Sequence, residues 1–273
     1  MERGQLAGKV AIVTGGGRGL GRAMALGLAA AGARVVISAS SDATEIRQVA
    51  GEATQASEAG RILAVRADVT REDDCHQLVE RTIHTFGGLH ILVNNAGRGM
   101  KFVSDRFLTE PTRFWEVNPD VWRMIVDTNI NGPFLMARAA VPHLLAQRWG
   151  RIVNITMNQE TMRRTGFSPY GPSKAALESE TIIWAQDLAG TGITVDGLLP
   201  GGASATGMIP DGVPAAVRQQ LIQPEVMVPP LLWLASEAAG AVSGKRLVAS
   251  RWNTALSAAQ AAAAATDDAG WAI

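Results

Sequence analysis

Short apolar runs alternate with longer amphipathic segments along nearly the whole chain. Val10-Ala11-Ile12-Val13 is β-branched and free of charge, as a strand buried on both faces of a parallel sheet requires. Ala23 to Ala31 then reads as a helix closed by Gly32, and Arg34 to Ser38 as a second strand, completing a β-α-β unit. The alternation continues with a helix-compatible segment from Asp42 to Ala59, a strand at Ile62 to Arg66, a helix at Glu72 to Phe86 and a strand at Leu89 to Val93. Further on, Val121, Met124, Ile125, Thr128 and Asn129 fall at i, i+3, i+4, i+7 and i+8, the buried stripe of a helix. Strands at Gly150 to Thr156, Ile193 to Leu199 and Arg246 to Ala249, with helices from near Tyr170 to near Leu188 and from Val228 to Ala235, complete an α/β pattern.

Three stretches break the pattern. Residues Arg98 to Asn118 mix Phe102, Phe107, Phe114 and Trp115 with charges and have no period, which predicts an irregular connection forming part of a substrate wall. Ala203 to Pro214 is rich in small residues and carries Pro210 and Pro214, the composition of a mobile lid. The tail from Asn253 to Ile273 is largely alanine, and a surface helix, fraying or disorder is expected there.

The length of 273 residues and a hydrophobic content of 47% fit one large domain, residues 1–252, followed by the alanine-rich tail, 253–273. Lys+Arg and Asp+Glu both number 25, so no net field draws the chain to nucleic acid or an anionic membrane, and neither partner is expected. A single cysteine, Cys75, excludes an internal disulfide. With neither a signal peptide nor an apolar run able to span a bilayer, the expectation is a cytoplasmic protein. His76, His84, His90 and His143 show no metal-ligand spacing and read as surface or ordinary core residues; no metal is expected.

Candidate chemistry sits at two places. The run Thr14-Gly15-Gly16-Gly17-Arg18-Gly19-Leu20-Gly21 joins the first strand to the first helix, where glycines allow close approach to a pyrophosphate and the helix N-terminus offers unpaired N–H groups. After the second strand, where an NAD site places a carboxylate for the ribose 2′-hydroxyl, the chain has Ala39-Ser40-Ser41. The serines can hydrogen-bond a 2′-phosphate and Arg18 can supply charge, so NADP(H) is favoured over NAD(H); the alternative has Arg18 solvated and Asp42 reaching the 2′-hydroxyl. Asp68, before Val69, either caps the next helix or contacts an adenine edge, and Asn94-Asn95-Ala96-Gly97 ends a strand at the edge where ligands bind.

The second place is Tyr170, the only tyrosine, with Lys174 four residues on, so in a helix both rise from one face. An ammonium beside a phenol favours the phenolate and makes the tyrosine a usable proton donor and acceptor. Pro172 suits the first turn of such a helix. Pro133 removes the N–H that would bond the Asn129 carbonyl, giving either a carbonyl free to hold water or a simple kink.

Taken together and in this order, the glycine run, Asp68-Val69, Asn94 to Gly97, Asn129, Tyr170-x-x-x-Lys174 and Pro200-Gly201 resemble the short-chain dehydrogenase/reductase family, over Leu6 to Val248. The resemblance implies a Rossmann-type, doubly wound, seven-stranded parallel sheet and a homo-oligomer, dimer or tetramer. It implies a nicotinamide cofactor held by Gly15, Gly17, Arg18, Gly19, Leu20, Gly21, Ser40, Ser41, Asp68, Val69, Asn95, Ala96, Gly97, Tyr170, Lys174, Pro200 and Gly201. It also implies that Tyr170 exchanges the substrate proton, that Lys174 lowers the tyrosine pKa, and that Asn129 holds a relay water through its main chain.

One departure stands out: the family's catalytic serine, thirteen residues before the tyrosine, is here Met157. Thr156 is adjacent but should face the other way along a strand, leaving Asn158 and Thr161 as replacement donors. The expected activity is NADPH-dependent reduction of a ketone or aldehyde. Two alternatives remain: reduction of an imine or iminium, whose electrophilic carbon needs no oxyanion donor, and a cofactor-binding homologue without turnover.

Overall fold

The computed structural model describes residues 4–56, 61–210 and 212–270; the C-terminal end of the segment expected from Asp42 to Ala59 lies outside them. Its elements in chain order are β1 (Val10–Thr14), α1 (Gly19–Ala30), β2 (Arg34–Ala39), α2 (Thr44–Ala56), β3 (Ile62–Arg66), α3 (Glu72–Phe86), β4 (Ile91–Asn94), α4 (Pro119–Val126), α5 (Gly132–Gln147), β5 (Gly150–Ile155), α6 (Gln159–Met162), α7 (Tyr170–Asp187), β6 (Ile193–Leu199), α8 (Ala215–Arg218), α9 (Val228–Leu234), β7 (Lys245–Val248), α10 (Ala258–Ala265) and β8 (Thr266–Asp268). The strands form one sheet in the order β3-β2-β1-β4-β5-β6-β7-β8. The first seven pair in parallel as expected, and β8 is antiparallel to β7.

Period-two alternation divides the core. Ala11 and Val13 of β1 with Val35 and Ile37 of β2 face Met24 and Leu28 of α1 and Leu231 of α9. Ile12 and Val36 face the opposite layer, with Leu78 and Val79 of α3 and Met136 and Leu144 of α5. β1 and β2 are therefore apolar on both sides, which is why Val10 to Val13 and Val35 to Ile37 show no polar interruption. β1 neighbours both β2 and β4, so the crossovers change direction between β1 and β4, and the carboxyl ends of those strands open a crevice.

Several expectations need correction. Up to residue 270 the alanine-rich tail forms a helix, one of the expected outcomes, but it is tied into the fold: α10 buries Ala261, Ala262 and Ala265, and β8 extends the sheet to eight strands. Alanine allows close packing, and strand pairing uses main-chain groups that leave no side-chain pattern to read. The first helix begins at Gly19 rather than Ala23. Around Pro133 the helix does not simply kink; Asp127–Asn131 is a π-helical segment between α4 and α5, with the Gly132 N–H bonded to the Asp127 carbonyl. His90 is half-buried and its Nδ1 accepts the Val10 N–H at 3.1 Å, an internal structural role. No described helix is long and apolar enough to cross a membrane.

Candidate active site

At the carboxyl edge of the sheet a cavity of about 900 Å³ runs from the β1–α1 loop to the start of α7. Gly15, Gly17 to Gly21, Ser40, Ser41, Asp68, Val69, Asn95 to Gly97, Met157, Asn158, Thr161, Pro200 and Gly201 all line it, as do Tyr170 and Lys174, whereas Asn129 lies behind its wall.

At one end the glycine loop is built for close approach. A side chain at Gly21 would place its Cβ 2.2 Å from the Gly15 carbonyl oxygen and 2.5 Å from Asn95 Nδ2, and Gly15 itself has a φ of +65°. Thr14 locks this end: its hydroxyl accepts the N–H groups of Asn95 and Ala96, both at 3.0 Å, while Asn95 Nδ2 donates to the carbonyls of Thr14 and Gly15 at 2.8 and 3.0 Å. The N-terminus of α1 has no side-chain cap and no acidic residue in its first turn, so its N–H groups and partial positive charge face the cavity. This cradle fits a pyrophosphate.

Ser40 and Ser41 are exposed at its margin, and Arg18, also exposed, pairs with Glu45 at 3.5 Å. Asp42 lines the cavity, but its carboxylate accepts the Thr44 N–H at 2.8 Å and is held below the usual carboxylate range chiefly by that bond. Asp68 does not cap α3, whose N-cap position is Arg71; its Oδ1 closes a turn on the N–H and hydroxyl of Thr70 at 3.0 and 2.8 Å.

At the other end, α7 starts at Tyr170 as expected. The tyrosine is half-buried, and its hydroxyl has no hydrogen-bond partner among the described residues. Lys174 is buried, donating from Nζ to the Ile155 carbonyl at 2.8 Å. Burial pushes Tyr170 up to about 12 and Lys174 down to about 8.

Asn129 is fully buried and its side chain is a bracket. Its Oδ1 accepts the Arg98 N–H at 2.8 Å, and its Nδ2 donates to the Arg98 carbonyl at 3.0 Å and to Ser173 Oγ at 2.9 Å. Ser173 Oγ in turn donates to the Tyr170 carbonyl at 2.7 Å. The chain after β4 and the first turn of α7 are thereby tied together.

Met157 packs with Met100, Phe107, Phe167, Val103 and Tyr170, forming an apolar wall. Of the replacement donors, Asn158 Nδ2 is used on the Gly201 carbonyl at 3.1 Å, and Thr156 Oγ1 is buried without a partner, 3.6 Å from where a Gly197 Cβ would sit. The Thr161 hydroxyl lines the cavity with no partner among the described residues.

Comparison with known proteins agrees with this geometry. Residues 9–213 match the model of the short chain dehydrogenase family. The chain belongs to that family. A 3-oxoacyl-[acyl-carrier-protein] reductase from Synechocystis is 35% identical over 72% of this chain and 74% of its own length. The NADPH-dependent aldehyde reductase 2, chloroplastic, of Arabidopsis thaliana is 31% identical over 89% and 93%. The crystal structure of 3-ketoacyl-(acyl-carrier-protein) reductase from Brucella melitensis complexed with NADH superimposes with a TM-score of 0.76 at 31% identity, over 87% of this chain and 95% of that one.

This short-chain dehydrogenase also places residues at its site that pattern reading passed over. Of the irregular connection, Arg98 to Phe102, Asp105, Phe107 and Leu108 line the cavity, whereas Phe114 and Trp115 are exposed elsewhere. Thr206 lies over Gly19 and Met208 over Gly99, so the stretch expected as a lid does cover the cavity. Thr14 and Ser173 stand inside the recognised motifs, and their position beside Gly15 and Lys174 was the available signal. Arg164 had none.

Proposed function

We propose that this enzyme reduces a ketone or aldehyde to an alcohol with NADPH, Tyr170 giving its proton to the substrate oxygen. The observation that carries the reading is an unpartnered Tyr170 hydroxyl beside a buried Lys174, in the same cavity as the glycine cradle. Gly15 to Gly21 hold the pyrophosphate, and Asn95 to Gly97 with Lys174 hold the nicotinamide half. Once bound, the reduced nicotinamide supplies hydride to the prochiral carbon. With its pKa raised to about 12, Tyr170 keeps its proton through the neutral range and is a donor to the developing alkoxide. Lys174, near 8, is largely cationic at neutral pH and stabilises the phenolate left behind. The Asn129–Ser173 bracket keeps the tyrosine's turn of helix in register with the opposite wall.

NADPH is favoured because Ser40, Ser41 and Arg18 stand at the cradle's margin while Asp42 is engaged with Thr44. The Arabidopsis relative, an NADPH-dependent aldehyde reductase, supports the same choice, and the NADH of the Brucella structure opposes it.

A second reading, reduction of a C=N bond, is favoured by one observation: Met157 is apolar wall, and the Asn158 amide beside it is engaged with the Gly201 carbonyl. Oxidation of NADPH and of NADH with paired cyclic ketones and cyclic imines separates the two. Ketone turnover that drops about 10²-fold or more in Tyr170→Phe supports the carbonyl reading. Turnover confined to imines replaces it, and full activity of Tyr170→Phe refutes the proton assignment.

A further inference from the structure

The substrate end of the cavity is apolar at its centre and cationic at its margin. Phe107 and Phe167 meet edge to face, with ring centroids 5.9 Å apart, inside the cluster that holds Met157 and Tyr170. Two arginines that line the cavity lie over aromatic rings at its rim. The Arg98 guanidinium carbon is 4.7 Å from the Phe102 centroid, and that of Arg164 is 5.1 Å from the Phe167 centroid.

Neither guanidinium makes a hydrogen bond or ion pair among the described residues. Arg22, Arg106, Arg123, Arg138 and Arg251 each reach a carboxylate; Arg34 and Arg113 also stack on rings, but neither lines the cavity. A guanidinium stacked on a ring keeps its in-plane N–H donors available, and the stacking reduces the freedom lost when an anion binds. Arg98 is fixed further by Asn129, which holds both its main-chain N–H and its carbonyl and connects through Ser173 to the Tyr170 turn. Lys101 adds a third cation to this end, and Asp105 is the one carboxylate among the described residues lining it.

We infer that the natural substrate is an oxo acid: a carbonyl compound with an apolar body and a carboxylate, which Arg98 and Arg164 select. The inference rests on the carbonyl-reductase reading of this site and adds the substrate class. The body lies against Phe107, Phe167 and Met157, and the carboxylate is taken at the rim by guanidinium donors suited to two parallel hydrogen bonds.

The test pairs each acid with its neutral methyl ester: phenylpyruvate and benzoylacetate against their esters, in wild type, Arg98→Gln and Arg164→Gln. The expected result is a kcat/KM at least about tenfold higher for the acids, expressed in KM and weakening with salt, as charge-assisted contacts do. Each variant should lower the acid-to-ester ratio. Turnover with no acid preference, or a ratio that both variants leave intact, overturns the inference while sparing the carbonyl reading. If neither member of a pair is reduced, calorimetric titration of the same compounds decides. Tighter binding of the acid, lost in the variants, keeps the selection of a carboxylate by Arg98 and Arg164 and returns the carbonyl reading to the ketone and imine comparison; equal or absent binding discards the inference.

Discussion

Arg246 Nη2 donates a 2.8 Å hydrogen bond to the carbonyl of Met157, which packs against Tyr170 in the apolar wall. The same guanidinium reaches Glu178 at 3.3 Å, with side-chain exposures of 6% and 1%, and Glu178 Oε1 also accepts the Gly270 N–H at 3.0 Å. One buried pair therefore fixes the end of β5, the Tyr170 helix and the C-terminal segment together. Breaking such a pair leaves a bare charge in the core. Arg246→Met should cost about 3–5 kcal/mol in urea unfolding, and Arg246→Met/Glu178→Leu should recover much of that loss.

Met157→Ser introduces the absent hydroxyl donor. Ketone reduction should rise about 10²-fold, the magnitude of one oxyanion donor, with imine turnover little changed. If the ketone rate stays flat and Thr161→Val lowers it, the Thr161 hydroxyl, already in the cavity, is the substitute.

Lys174 titrates near 8, so ketone reduction should decline as pH passes through that value, and Lys174→Arg should move the descending limb upward. Stability follows with the opposite sign. Between about 8 and the ordinary lysine value of 10.5 the unfolded chain binds more protons at this group, so its contribution to stability rises with pH. From 10.0 to about 12 the folded state holds the Tyr170 proton that the unfolded state releases, so that contribution falls. Urea midpoints measured from pH 7 to 11 check both slopes.

Two glycines should respond differently to alanine. Gly21→Ala puts a Cβ 2.2 Å from the Gly15 carbonyl and should raise the Kd for NADPH at least about tenfold, read by fluorescence titration. Gly51, inside α2 with nothing within 4 Å of its Cβ position, should gain about 0.4–1 kcal/mol from the same change, because alanine restricts the unfolded chain.

Most of the framework was legible in local pattern. Strands β3 and β6 and helix α3 begin and end where their apolar periods do, because period and main-chain sterics act over a few residues. The glycine run and the Tyr170–Lys174 spacing were legible for the same reason: each functions within a single loop or helix turn.

What the sequence by itself determined was the order of elements and the position of each motif along them. Tertiary structure alone decided the fate of the tail, the turn at Asp68, the surroundings of Met157 and the stacking of Arg98 and Arg164 at the cavity rim. These depend on partners far apart in the chain, as Arg246 with Met157 or Gly270 with Glu178, and such pairs leave no local period. The protonation of Tyr170 and Lys174 belongs to the same class. Spacing places an ammonium near a phenol, but burial sets the direction of both pKa values, and burial is a property of the whole packed chain.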